Sequence, residues 1–182
     1  CGMKQIPAEV TYDEGIYVGY RYYNTYKVKP AYEFGYGLSY TNFSYSNLQL
    51  SASKFNGSII ASFVITNTGK VAGKEVAQLY ISAPSGNLNK PAEELKNFAK
   101  TGLLKPGQSM TVQFNIKASD LASFDTKRAS WIADAGKYIV KIGASSENIK
   151  LSADFTVPKE IVVEKDHNVL APQVEINEFT GK

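Results

Sequence analysis

The chain has 182 residues, a formal net charge of +3 and 43% hydrophobic residues, a composition typical of a soluble globular protein. It contains no run of about 18 apolar residues that could span a membrane, no basic block for nucleic acid and no signal-peptide core in its first ten residues. One cysteine and one histidine exclude an internal disulfide and a cysteine-based zinc site, so we expect neither metal nor cofactor.

Residues 1–42 are rich in tyrosine, because ten of the twelve tyrosines lie between Tyr12 and Tyr45. Cys1 followed by Gly2 fits either a lipid-modified lipoprotein start or a fragment boundary, and we favour the boundary. The tyrosines could form a sugar-stacking platform or pack in a core or interface. We favour packing because the interspersed glycines indicate close-packed turns. The strand-forming aromatics predict an arm that docks on its own domain or is exchanged in a symmetric homodimer.

Residues 43–157 alternate apolar and polar side chains with a period of two, which is typical of half-buried strands. Turn signals separate the strands, for example Asn67-Thr68-Gly69 and Lys105-Pro106-Gly107. Seven or so short strands in this length predict an all-β fold, an antiparallel β-sandwich. The clearest alternation occurs in residues 58–66, 75–82, 110–116, 138–142 and 151–157.

The apolar positions of these strands predict the core between the two sheets. Trp131 is included because it lies at a strand position just before the turn Asp134-Ala135-Gly136. The predicted core residues are Phe63, Ile65, Leu79, Ile81, Val112, Phe114, Trp131, Tyr138 and Val140.

Two segments interrupt the strand pattern, and the C-terminal segment lacks it. Residues 119–124 suit a single helical turn with Ser119 as the N-cap. Residues 91–99 place Leu95 and Phe98 at helical spacing, although their length also suits a loop or an edge strand. Residues 158–182 are charged and irregular and predict a C-terminal tail or linker, in which His167 is a solvated side chain.

Several stretches, in the same order along the chain, resemble the family-three glycoside hydrolases of the β-glucosidase type. For example, YDEGIYVGYRYY resembles a late strand and turn, and EFGYGLSYT resembles the family's signature leading into its last domain. The matching stretches are residues 12–23, 33–41, 73–80, 94–98, 104–107 and 136–138.

This resemblance implies a parent enzyme with a barrel, an α/β sandwich and a fibronectin type III-like domain. Residues 1–42 would then be a remnant of the α/β sandwich with its linker, and residues 43–157 an immunoglobulin or fibronectin type III-like sandwich. The partners would be the catalytic domains of the parent, contacted through the N-terminal arm. The interface residues expected on this basis are Tyr20, Arg21, Tyr22, Phe34, Tyr36 and Tyr40.

A catalytic pair of carboxylates is not evident in the chain. A retaining glycosidase needs two carboxyl groups roughly 5 to 5.5 Å apart across one sugar ring. Asp13 and Glu14 are adjacent and would point to opposite faces of a strand, as would Glu93 and Glu94. We therefore expect a non-catalytic accessory domain. The resemblance implies a parent enzyme that hydrolyses terminal β-D-glucosyl or similar glycosidic bonds with retention.

Two other functions remain open from the sequence. The chain could be a free-standing carbohydrate-binding module, or a protein-interaction or adhesion sandwich without an enzymatic parent. The carbohydrate-binding hypothesis requires at least two aromatic rings that are coplanar and exposed on one face of the folded chain.

Overall fold

The computed structural model describes residues 14–86, 88–167 and 169. The sequence predictions for Cys1, Gly2, Tyr12, Asp13 and residues 170–182 lie outside this part of the chain. Within it, no helix is long and apolar enough to cross a bilayer.

The described residues form two short helices and ten strands. The helices are α1 (Tyr20–Tyr26) and α2 (Ala118–Leu121). The strands are β1 (Phe43–Leu50), β2 (Ser58–Asn67), β3 (Val76–Ser82), β4 (Glu94–Lys100), β5 (Ser109–Lys117), β6 (Ser123–Asp125), β7 (Ser130–Ala133), β8 (Gly136–Gly143), β9 (Ile149–Val157) and β10 (Ile161–Lys165).

The strands build two main antiparallel sheets, which confirms the predicted β-sandwich. One sheet has the order β1-β2-β5 and the other β4-β3-β8-β9. Their registers place apolar residues opposite one another, as with Phe63 and Val112 in the first sheet and Ile81 and Val140 in the second. Because side chains alternate between faces, each sheet offers one continuous apolar face to the other.

Eight of the nine predicted core residues are buried between these faces. Ring contacts join neighbouring strands within each sheet: the Phe63 ring lies 5.8 Å from that of Phe114 in the first sheet, and Tyr138 stacks on Phe155 at 5.6 Å in the second. The buried eight are Phe63, Ile65, Leu79, Ile81, Val112, Phe114, Tyr138 and Val140.

The prediction for Trp131 is wrong, because 40% of this residue is exposed. It does lie on a strand, β7, but its two neighbours Ser130 and Ile132 face inward instead. Strand β7 belongs to a third, small sheet of order β10-β7-β6. In this sheet Trp131 packs against Phe124 at 5.4 Å between ring centres.

The two ambiguous segments are now defined. Residues 91–99 contribute the edge strand β4 and not a helix. The N-cap of helix α2 is Lys117, two residues before the predicted N-cap Ser119. Lys117 is the N-cap because its backbone N–H donates a hydrogen bond to the Asp120 carboxylate at 2.8 Å. This bond from the N-cap backbone to the third helical residue is one of the two bonds of a capping box.

The start of the C-terminal segment is more regular than its composition suggested. Strand β10 (Ile161–Lys165) pairs with β7 and closes the small sheet. His167, just beyond the strand, is exposed, as expected for a solvated side chain.

The N-terminal arm forms a helix and not the strand that its aromatic residues predicted. Helix α1 follows Gly19, whose φ of 56° is a conformation that favours glycine. It ends at Lys27 in the left-handed region, where the Lys27 N–H bonds to the Tyr23 carbonyl oxygen. The helix packs on the outer face of the four-stranded sheet, where Tyr20 meets the β3 residue Tyr80.

Candidate domain interface

Helix α1 is held to the four-stranded sheet by hydrogen bonds along its edge strand and the loop before it. The Tyr20 hydroxyl accepts a bond from the Leu95 backbone N–H at 2.8 Å. The Thr25 hydroxyl accepts one from the Ala92 N–H at 2.9 Å. Leu95 belongs to the edge strand β4 and Ala92 to the loop before it, so the helix satisfies two backbone donors along an edge of the sheet.

A buried carboxylate anchors the other side of the helix. Glu93 is only 5% exposed, and its two oxygens accept bonds from Asn24 Nδ2 at 2.6 Å and Lys141 Nζ at 2.7 Å. Asn24 also donates to the Ser146 carbonyl oxygen at 3.2 Å. A buried carboxylate that is paired and hydrogen-bonded on both oxygens has a structural role here, since neither oxygen is free to act on a substrate.

Gln78 links the arm to the sheet beyond the helix. Its Nε2 donates to the Ala144 carbonyl oxygen at 2.7 Å and, more weakly, to that of Gly35 at 3.3 Å. Its Oε1 accepts the Tyr80 hydroxyl proton at 2.5 Å. Gly35 has a φ of +81° and lies directly against the Gln78 amide, so this approach requires a residue without a side chain.

The aromatic rings of the arm cover the centre of this face. Phe34 stacks on Tyr20 at 4.8 Å, and Tyr20 meets Tyr80 edge-on at 5.9 Å. Tyr80 is fully buried although it points away from the sandwich core. This burial is the main reason why the pKa of its hydroxyl is raised above the ordinary value.

The opposite side of the arm is apolar and uncovered. A monomeric protein seldom exposes a contiguous apolar patch of more than a few hundred Å², and larger patches mark contact surfaces. The exposed large side chains of the arm are Ile16, Val18, Tyr23, Val28, Tyr32, Phe34, Tyr36, Leu38 and Tyr40. We name the last five of these the outer arm surface.

The six residues expected at an interface fall into two groups. Tyr20 and Arg21 bind the chain's own sheet, Arg21 through an ion pair with Glu94 at 3.0 Å, and Tyr22 packs among the arm's own tyrosines. The other three belong to the outer arm surface: Tyr36 and Tyr40 are exposed, and Phe34 is partly exposed although one face of its ring stacks on Tyr20. Their contact with another domain remains a prediction.

One further exposed aromatic was missed by the sequence analysis. Phe98 on β4 is 67% exposed and lies directly opposite Gln78 in the sheet. The Gln78 side chain contacts Gly35 of the arm, so Phe98 lies next to the arm on the same face of the sheet. In the sequence, Phe98 is an aromatic residue in a segment that suits either a helix or an edge strand, and the edge strand leaves its side chain exposed.

Two of the acidic residues described in the structure are engaged in local contacts. Glu94 is engaged by Arg21 and by Lys96 at 3.1 Å. Asp125 accepts bonds from the backbone N–H groups of Lys127 and Arg128 and so stabilises a turn. In the same part of the chain, no group of three His, Cys, Asp or Glu side chains is placed to hold a metal ion.

The fold and the sequence agree on the class of domain. A model of the fibronectin type III-like domain matches residues 75–146, which run from the start of β3 to the loop after β8. The chain therefore carries a fibronectin type III-like domain with additional segments on both sides.

Comparison with whole proteins extends the match into these segments. β-Glucosidase BoGH3A of Bacteroides ovatus is 47% identical over 146 residues, which make up 79% of this chain. β-Glucosidase A of Butyrivibrio fibrisolvens is 42% identical over 185 residues and 90% of this chain. The structure of β-glucosidase 3B from Thermotoga neapolitana in complex with α-D-glucose superposes with a TM-score of 0.78 and 53% identity over 82% of this chain.

These similarities place the chain in the family-three β-glucosidases, as the fibronectin type III-like part of such an enzyme. The chain spans about a fifth of the length of the relatives it matches: 19% and 22% of the two proteins and 20% of the solved structure. The resemblance expected from the sequence motifs is thus confirmed.

Proposed function

We propose that this chain braces the catalytic domains of a family-three β-glucosidase through the outer arm surface. The parent enzyme, in this proposal, hydrolyses terminal β-D-glucosyl bonds with retention, and its two catalytic carboxylates lie in other domains. The domain belongs to multidomain enzymes of this family, and this membership supports association with their catalytic domains.

The observation that carries the proposal is the two-sided arm. Its inner side is fixed to the sheet by hydrogen bonds from Leu95 and Ala92, while its outer side exposes rings such as Tyr36 and Tyr40. A rigid apolar surface loses little conformational entropy on docking, so its burial contributes efficiently to association. Aromatic residues, and tyrosine in particular, are enriched at the centres of interfaces.

Assembly from separate parts tests the proposal. The catalytic domains of the parent enzyme are expressed without this chain, mixed with it, and followed by gel filtration and by hydrolysis of p-nitrophenyl β-D-glucoside. We expect co-elution and slower thermal inactivation. The double variant Tyr36→Ser/Tyr40→Ser should weaken association by about tenfold or more. Met110→Ser, an exposed apolar position on β5 of the other sheet, is the matched control. Equal association of both variants would refute the role of the outer arm surface.

The chain alone should not turn over aryl β-glucosides. The adjacent carboxylates that contact the arm, Glu93 and Glu94, are both held in ion pairs and are not placed to act as nucleophile and acid across one ring. The measurement is nitrophenol release by the purified chain. Activity that persists through repurification and disappears on Glu93→Gln would contradict this prediction.

The carbohydrate-binding alternative has weaker support at the tyrosine-rich arm. Tyr32 and Tyr36 are both exposed and lie 5.3 Å apart, but their rings are inclined by 42°. Such a pair is not the flat platform that the hypothesis requires.

The homodimer proposal also has weaker support, because the arm of one chain already lies on that chain's own sheet. Exchange between two copies would replace the contact between Tyr20 and Tyr80 by the same contact in trans. Sedimentation of the chain should therefore give the mass of a monomer.

A further inference from the structure

A second surface feature lies away from the outer arm surface. It is a cleft of about 550 Å³ between the arm, the edge of the four-stranded sheet and the small sheet. This volume is in the ordinary range for small-ligand sites, about 300 to 1,000 Å³. The cleft is lined on one side by the small sheet and on the other by arm residues and β4.

The floor of the cleft is aromatic. Trp131 and Phe124 are paired across β7 and β6, and their rings lie 5.4 Å apart at 58°. Trp131 lies in the small sheet and is 40% exposed. Aromatic faces bury the C–H-rich faces of sugar rings well, so the exposed indole presents a stacking surface for one.

Three charged side chains also line the cleft. The Glu94 carboxylate bonds to Arg21 Nη2 at 3.0 Å through one oxygen and to Lys96 Nζ at 3.1 Å through the other. These three side chains line the same cleft as Trp131 and remain partly accessible. A carboxylate held between two cations offers acceptors and donors side by side, which matches the vicinal hydroxyl groups of a sugar.

We propose that this cleft binds a β-linked gluco-oligosaccharide, with one glucosyl ring stacked on Trp131 and its hydroxyl groups on Glu94, Arg21 and Lys96. A β-D-glucosyl unit carries its substituents equatorially and presents flat C–H faces, while its hydroxyl groups point to the side. The choice of glucosyl units rests on the proposed function, in which the parent enzyme acts on β-glucosides.

The composition of the cleft favours a saccharide over a protein partner. Interface cores are depleted of charged residues and enriched in aromatics, as on the outer arm surface. The cleft instead combines one exposed indole with three charged side chains, the combination of an apolar wall and a few convergent polar groups that is typical of small-ligand sites.

Trp131 is the only tryptophan of the chain and therefore reports directly on the cleft. The test titrates the ¹⁵N-labelled full chain with cellotetraose, which is β-linked, and with maltotetraose, which is α-linked and curved. We expect a saturable shift of the single indole N–H signal with cellotetraose, and at least tenfold weaker binding of maltotetraose.

Calorimetric titration of variants with cellotetraose tests whether binding occurs in the cleft. Trp131→Ala should weaken binding by about tenfold or more, Glu94→Gln should weaken it severalfold, and Trp131→Phe should restore most of the loss. Ile60→Ala is the matched control, since Ile60 is 42% exposed on β2 of the other sheet and its variant should bind like the wild type.

An indole signal that does not move, or binding that is unchanged in Trp131→Ala, would overturn the proposal. Equal affinity for the two tetrasaccharides would also overturn it, because it would indicate non-selective contact with an exposed ring. These outcomes concern the isolated chain and the saccharide alone. The assembly experiment with the catalytic domains can therefore succeed or fail independently of them.

Discussion

Replacement of Gly35 by alanine tests whether the arm is docked as the structure shows. Gly35 has a φ of +81°, and a Cβ atom built there would lie 2.7 Å from Gln78 Cδ and overlap the amide group. The left-handed backbone costs about 1 to 2 kcal/mol for a residue with a side chain. Displacing Gln78 from its buried partners costs a further 1 to 3 kcal/mol or so. The docked state should thus lose about 2 to 5 kcal/mol, a large part of the stability of a small domain.

The loss can take two forms, which different measurements separate. If the free energy of docking the arm is smaller than the cost of the substitution, the arm undocks and the sandwich stays folded. Amide exchange at Ser146, whose N–H donates to the Phe34 carbonyl oxygen at 2.9 Å, should then accelerate. Exchange at Phe63, in the buried core, should not. If the free energy of docking is larger than that cost, the arm stays docked and the midpoint of urea unfolding falls instead.

Gly37→Ala is the matched control, since a Cβ there meets no atom within 4 Å and no positive φ is involved. It should change the free energy of unfolding by no more than about 0.5 kcal/mol. In the double variant with Gln78→Ala, the Gly35→Ala cost should shrink because the overlap is removed. Identical exchange rates and urea midpoints for Gly35→Ala and Gly37→Ala would refute the docked geometry.

Three further predictions concern the core, the tyrosines and the arm as a whole. Phe155→Ala should cost about 3 to 5 kcal/mol of unfolding free energy, and Trp131→Ala clearly less because its ring is partly exposed; equal urea midpoints would contradict this. Burial raises the pKa of Tyr80 and of Tyr138, so the unfolded chain loses these protons first, near pH 10. The stability that these two buried hydroxyl groups contribute is present below that pH and is lost as the pH rises above it. Tyr80→Phe should therefore flatten the fall of the melting temperature with rising pH, and an unchanged slope would contradict this prediction. Deleting residues 1–33 should lower the melting temperature by uncovering Tyr80, whereas an unchanged value would show that the helix contributes nothing.

The sandwich could be predicted because a period of two fixes the face of every residue in a long strand. In β2, burial alternates over all ten residues, and Phe63 and Ile65 fall on the buried face that the period of two predicts. The same argument holds for Val112 and Phe114 on β5. Long alternating runs therefore gave the correct core.

Trp131 could not be placed in the same way. Strand β7 has only four residues, too few to show which side chains face inward, and its partner β10 comes from a segment whose charged composition did not suggest a strand. The pairing of two short strands from distant parts of the sequence determines which face Ile132 and Trp131 occupy. No local pattern contains that information.

The docking of the arm did leave a signal in the sequence. Strand β3 is apolar on the face of Leu79, which belongs to the core, and also carries Val76 and Tyr80 on the other face. A strand with apolar residues on both faces is covered on both faces. The sequence therefore indicated that something covers this sheet, although it did not show that a helix preceding the domain does so.

The contacts of the arm bear on where the domain begins. The change in composition near residue 42 predicted a boundary between a remnant and a separate domain, yet the Asn24, Gly35 and Tyr20 contacts all cross it to reach the four-stranded sheet. A segment that satisfies the sheet's buried Gln78 and Glu93 cannot leave without exposing them. The outer arm surface is therefore fixed in orientation relative to the sandwich. A domain that docks through this surface would be held by the sandwich itself and not by a loose linker, which is what a bracing role requires.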